Sequence, residues 1–183
     1  LINYIVSKDG FLRINVETDI NPILPVIPKI GLTTQIPSTF SEVNWYGRGP
    51  QESYSDRKLG AFLGIYNKDV DNLYFPYIKP QENGNRSDTR WMLISDLNNK
   101  GILIEAEEPF NFSAHRYSLD NLSKSKHTVD LKNTNYINLN IDHKMMGVGG
   151  DDSWNPRTHD EFLIKPGLYK FSYTFKFLNN LNN

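Results

Sequence analysis

The feature that most constrains the fold is the stretch Leu168-Tyr169-Lys170-Phe171-Ser172-Tyr173-Thr174-Phe175-Lys176-Phe177. Aromatic rings fall at every second position, and only an extended chain places residues i, i+2 and i+4 on one face. Tyr169, Phe171, Tyr173, Phe175 and Phe177 therefore form a stripe that must be buried. A strand of that kind needs partner strands to satisfy its backbone. The chain offers them as short alternating or β-branched segments bounded by turn residues, at 2–6, 11–18, 30–36, 42–46, 61–66, 74–78, 89–96, 102–107, 110–117, 136–143, 162–164 and 168–178. No long stretch carries a 3.6-residue apolar period; residues 119–127 are expected to give one or two helical turns, with Asp120 near the start. So many strands predict two packed antiparallel sheets.

Local turn chemistry supports this reading. Residues 91–96 return as 102–105 through Asn98-Asn99-Lys100-Gly101, which supplies residues that tolerate positive φ. Pro22, Pro25, Pro28 and Pro37 make 21–29 an extended connection rather than a paired strand. The connection is too short for an interdomain linker, so residues 1–183 are read as one domain. The terminal asparagines are expected to fray.

Composition removes several function classes. Twenty basic and twenty-one acidic side chains leave a net charge of −1, which gives no electrostatic case for nucleic acid or an anionic membrane as partner. Without cysteine there are no disulfides and no thiolate metal sites. No apolar run approaches the roughly 20 residues needed to cross a bilayer. The start, Leu1-Ile2-Asn3-Tyr4, has neither an initiator Met nor a signal-peptide pattern, so the chain reads as a piece of a longer one. The Asn-x-Ser triplets at Asn85, Asn111 and Asn121 are what an asparagine-rich chain gives by chance.

Four segments are dense in glycine, charge and aromatics: 44–57, 80–90, 115–117 and 147–154. Functional residues concentrate on such loops because a rigid sheet holds them in place. In the last, Gly149 and Gly150 free the backbone just before Asp151, Asp152, Ser153 and Trp154. An indole face covers the apolar C–H surface of a sugar while carboxylates accept from its hydroxyls, so Trp154, Asp151 and Asp152 are candidate substrate-binding residues. The alternative places Trp154 in the core and both aspartates in Asx turns.

Adjacent aspartates do not make a glycosidase site by themselves. A retaining enzyme needs two carboxyl groups about 5 Å apart flanking the scissile bond, one with a raised pKa. In extended chain Asp151 and Asp152 point to opposite faces, and in a turn backbone N–H groups lower both pKa values. Glu107 and Glu108 meet the same objection. Arg48, Arg57, Arg86, Arg90 and Arg116 are expected to pair with Glu52, Asp56, Glu82 and Asp88 in bidentate clamps that fix the loops. His115 and His143 read as hydrogen-bonded strand histidines, and the four histidines lack metal-ligand spacing.

Five blocks in order resemble the small-chain domain at the C-terminus of glycoside hydrolase family 2 β-galactosidases of the long, multidomain type. They are Val43-Asn44-Trp45-x-Gly47-x-Gly49-Pro50-Gln51-Glu52-x-Tyr54-x-Asp56-Arg57; Pro76-Tyr77 with Pro80-x-Glu82-Asn83-Gly84-x-Arg86-x-x-Thr89-Arg90; Phe112-x-x-x-Arg116-Tyr117; Leu139-Asn140-Ile141-Asp142; and Met146-Gly147-Val148-Gly149-Gly150-Asp151-Asp152-Ser153-Trp154-x-Pro156. The resemblance spans roughly 43–169. It implies an all-β, large antiparallel β-sandwich of the galactose-mutarotase-like type, the supersandwich. It implies that Trp154 is a platform for the sugar or leaving group, and that no catalytic residue lies in this fragment. The catalytic glutamates and the magnesium and sodium ions are implied for a preceding barrel domain or large subunit, within a parent homo-oligomer acting on a galactoside. Two other readings remain open at this level: a mutarotase using groups such as His143 and Glu105, and a pure carbohydrate-binding or assembly module.

Overall fold

The computed structural model describes residues 1–181 and is built almost wholly from antiparallel strands. In chain order they are β1 (Ile2–Val6), β2 (Leu12–Ile20), β3 (Lys29–Pro37), β4 (Glu42–Gly49), β5 (Phe62–Asp69), β6 (Arg86–Ser95), β7 (Gly101–His115), β8 (Tyr136–Met145) and β9 (Gly167–Leu178). One short helix, α1 (Leu119–Lys124), starts at Ser118, whose side chain accepts from Asn121 N. Asp120 sits in its first turn and pairs with Lys124. Asn182 and Asn183, among the asparagines expected to fray, lie outside the described residues.

β7 organises the sheet. One edge pairs with β6; the other pairs first with β9, over Gly101–Ala106, and then with β8, over Asn111–His115. The change of partner falls at Glu107, Glu108 and Pro109, where proline has no N–H to give a ladder. The sheet therefore forks into an arm β9-β2-β1 and an arm β8-β3, while β6-β4-β5 continues on the far side. Ile14, Val16, Tyr173 and Phe175 of one arm share a core with Ile36, Ile137, Leu139 and Ile141 of the other and with Val43, Trp45, Met92, Ile94 and Ile104. The antiparallel all-β class expected from the sequence is found, but in place of two separate packed sheets the described residues form one open, forked sheet of nine strands, because β7 hydrogen-bonds to both β8 and β9 and so joins the two arms.

The aromatic stripe lies on β9, with Tyr173 and Phe175 in the core and Phe177 left exposed at the strand end. The predicted hairpin is β6-β7: Asn99 takes φ 60°, and Asp96 Oδ1 accepts from Asn98 N and Lys100 N, both at 2.9 Å. The segments 102–107 and 110–117 merge into β7. Residues 74–78 are not a strand, because the Asn83 side chain takes the place of a partner, accepting from Phe75 N (2.8 Å) and donating to Phe75 O (2.5 Å). Residues 162–164 are likewise not a strand: a 3-10 turn, Asp160–Phe162, leads to a lone bridge between Ile164 and Ile27.

β8 is buried on both faces. Ile137, Leu139 and Ile141 point into the core, and the alternate positions Asn138, Asn140 and Asp142 are buried too. A buried polar group must find partners; Asn140 takes them from Thr33 (2.8 Å) and Ser113 (3.1 Å). Over the same polar face of β7 lies 83–86, held by Asn85 Nδ2 to Asn111 Oδ1 (3.1 Å) and by His115 Nε2 to Asn83 O (2.8 Å). That lid carries one wall of the site.

Candidate functional site

A cleft of about 770 Å³ opens where three segments meet: 54–57 after β4, 77–82 before the lid, and 145–162 from the end of β8. Each wall is fixed by a different device.

The first wall is organised by Glu52, which is buried. Its Oε1 accepts from Arg57 Nη2 (2.5 Å) and from Tyr77 OH, and its Oε2 from Gly84 N (2.8 Å). Tyr54 and Arg57 close a tight turn by reciprocal backbone bonds, with the Arg57 guanidinium over the Tyr54 ring at 5.4 Å. Arg86, also buried, has no carboxylate partner: it donates to Leu73 O (3.0 Å), Gly84 O (2.7 Å) and Pro50 O (3.2 Å) and lies over Trp45. Burial pulls its pKa down to about 10. Gly84 has φ +73°, and a Cβ there would stand 2.7 Å from the His115 ring, so the lid closes tightly only over glycine. Burial pushes His115 down to about 4; it is neutral at pH 7 and donates Nε2–H to Asn83 O.

The clamps expected for the five arginines are found in part. Arg48 binds Asp88 (2.5 Å) and Arg57 binds Glu52. Arg116 pairs instead with Asp71 (2.7 Å), Arg90 donates to the Asp88 carbonyl, and Arg86 is held by carbonyls. Irregular loops expose many unpaired C=O groups, and a guanidinium with five donors serves these as readily as carboxylates.

The second wall is the glycine-rich loop. Met146 N donates to Pro28 O (3.0 Å), Gly147 N to Phe162 O (2.9 Å), and Thr158 Oγ1 to Gly147 O (3.2 Å). Gly149 N donates to Asp56 Oδ2 at 2.8 Å, joining the two walls. A Cβ on Gly150 would lie 1.9 Å from Asn155 O, so the turn back toward 155 has room only for glycine.

The three candidate binding residues share this loop but differ in place. Trp154 is 90% exposed, its ring outside the core. Asp151 lines the cleft and accepts from His159 Nε2 at 2.7 Å, which raises the His159 pKa. Asp152 Oδ1 accepts from Trp154 N (2.7 Å) and Asn155 N (2.8 Å), and these donors hold its carboxyl below the usual range. Of the groups named for mutarotase chemistry, Glu105 is paired with Lys176 (2.6 Å) and His143 stacks on Phe171 (4.8 Å between centroids).

Sequence reasoning passed over two features. Asp56 was seen only as a clamp partner. Asp142 is buried, and burial pushes its carboxyl up to about 7; Lys29 Nζ lies 3.9 Å from it and 3.6 Å from Glu82. The available signal was the spacing Asn138-x-Asn140-x-Asp142, polar residues alternating with apolar ones in a strand that is covered on both sides. Among the described residues, no three His, Asp or Glu side chains form a metal-ligand set.

Residues 1–177 match the family described as "Beta galactosidase small chain". The chain belongs to that family. Relatives named β-galactosidase include those of Pseudoalteromonas haloplanktis (42% identical over 172 residues, 93% of this chain), Vibrio cholerae serotype O1 (41% over 173, 94%) and Priestia megaterium (35% over 176, 96%). The small-chain sequence spans only 16%, 16% and 17% of those relatives' lengths.

Proposed function

We propose that this small-chain domain completes the sugar site of a retaining β-galactosidase that releases terminal β-galactose, and that the catalytic glutamates are supplied by a preceding barrel domain or large subunit. The observation that carries the reading is the exposed Trp154 on a braced loop beside a cleft of sugar-sized volume. The indole face covers the C–H side of a pyranose or of the leaving group, and Asp151 accepts from hydroxyls. Asp152 acts through the turn that it caps. The divided arrangement has a chemical reason: Asp152 is stabilised as a carboxylate by backbone donors, the opposite of what a general acid needs. The parent enzyme is read as a homo-oligomer, and neither nucleic acid nor membrane is a partner in this reading.

In the full-length enzyme, Trp154→Ala is expected to weaken galactoside or acceptor binding by about 1–2 kcal/mol, from apolar area no longer covered. Steady-state kinetics with KM and kcat both unchanged would remove Trp154 from the site. The 183-residue chain alone is expected to hydrolyse no galactoside.

A further inference from the structure

Asp56 differs from the other acids of the cleft in what it joins. Its Oδ2 accepts from Gly149 N across 93 residues of sequence, and a Cβ on Gly147 would stand 2.6 Å from that same oxygen, so carboxylate and loop are in direct apposition. On its own side Asp56 lies inside the turn closed by Tyr54 and Arg57. Arg57 is fixed by Glu52, and Glu52 by Gly84 N at the lid. A continuous path of bonds thus runs from the sheet to the glycine-rich loop.

The other fastenings of that loop act at Met146 and Gly147, before the glycine pair, and at Thr158, four residues after Trp154, whose hydroxyl closes the loop onto Gly147 O. Asp152 bonds only within the loop, and Asp151 reaches only His159. Among the described residues, no hydrogen bond beyond Gly149 ties 150–157 to another part of the fold. The Asp56 bond is therefore the last fixed point before Trp154. If that bond is lost, Gly149 joins Gly150 as a second unpinned glycine ahead of the ring, and the pair allows the segment wider freedom.

We propose that Asp56 is a positioning residue for Trp154: its carboxylate pins Gly149, which lines the cleft, and so fixes where the exposed indole that follows is held. The proposal rests on the reading of Trp154 as a sugar platform. Asp56 itself need not touch the sugar.

The test uses the full-length enzyme with Asp56→Ala, Asp56→Asn, Trp154→Ala and the Asp56→Ala/Trp154→Ala double variant. Amide exchange of 147–154 is measured beside galactoside kinetics. Asp56→Ala is expected to speed exchange in that segment and to raise KM about fivefold, the scale of one lost hydrogen bond, with a smaller change in kcat. Asp56→Asn keeps an oxygen that accepts from Gly149 N and is expected to recover most of both properties. In the Trp154→Ala background the Asp56→Ala effect on KM is expected to vanish, because there is no ring left to place.

Unchanged amide exchange, or a double variant whose losses simply add, overturns the positioning role while leaving Trp154 in the site. Asp56→Asn as impaired as Asp56→Ala also overturns it, since charge rather than the tether would then matter. A kinetically silent Trp154→Ala overturns the sugar-platform reading and this inference with it.

Discussion

At the scale of single residues, burial sets two pKa values in opposite directions, and their balance shapes stability. Asp142 is raised from 3.8 to about 7, so between those values the folded state holds a proton that the unfolded state releases. Stability from this group is full below about pH 4 and is lost as pH rises through about 7. His115 is lowered from 6.5 to about 4, so it is neutral in the fold where the unfolded chain would be protonated. Its contribution is lost as pH falls from 6.5 toward about 4. Over the shared window the two slopes oppose each other. Asp142→Asn removes one of them, and the variant's stability relative to the parent chain is expected to rise with pH by on the order of 1 kcal/mol per unit up to neutrality. Urea unfolding at pH 5 and pH 7 measures this; parallel curves for the two proteins would show that Asp142 does not titrate abnormally. Neither shift was legible in the sequence, because an acid in a strand looks the same whether its face is wet or covered. Trp154 was more legible: adjacent glycines before acids and an indole advertise a loop built to present side chains. Asp56 was not, since its partner is 93 residues away.

At the scale of elements, turns were the best-read features and capped loops the worst. The β6-β7 hairpin was recognisable because its chemistry is local: Asn99 tolerates φ 60° and Asp96 caps the turn from within. Asn99→Val places a β-branched side chain in the left-handed region and is expected to cost about 1–2 kcal/mol, whereas Asn99→Gly stays within about 0.5 kcal/mol of the parent chain. Thermal unfolding of the two variants separates these outcomes, and equal losses would mean that the turn relaxes to another geometry. Residues 74–78 have strand composition but end as a loop, because Phe75 meets the Asn83 amide rather than a neighbouring strand. Composition records what a residue packs well against; it does not record whether a partner strand arrives. The single strand β7 was read as two for a related reason: Pro109 looks like a terminator, yet here it marks only the point at which one edge changes partners.

At the scale of the whole molecule, the forked sheet leaves three edges among the described residues, β3 at the end of the short arm and β1 and β5 at the ends of the long path; the last two are the apolar ones. Both carry large apolar side chains in water: Ile2, Tyr4 and Val6 on β1, and Phe62, Leu63 and Ile65 on β5. An exposed apolar edge is a template for pairing with another chain, and proteins normally blunt such edges with charge, proline or a covering element. On β5 the run from Phe62 to Tyr66 has no charge, the first being Lys68 near the strand end. Ile65 is 72% exposed, so it contributes little to the core but much to the stickiness of the edge. The isolated chain is therefore expected to self-associate as its concentration rises, and Ile65→Lys to suppress that association while changing stability by less than about 0.5 kcal/mol. Sedimentation velocity across a concentration series measures the first effect, and urea unfolding the second. If Ile65→Lys associates as strongly as the parent chain, β5 is not the sticky edge, and the corresponding change at Tyr4 on β1 becomes the discriminating variant. The relative from Pseudoalteromonas haloplanktis is about six times longer than this segment, and any further polypeptide that covered Phe62, Leu63 and Ile65 would add roughly 1.5–3 kcal/mol for each side chain fully removed from water.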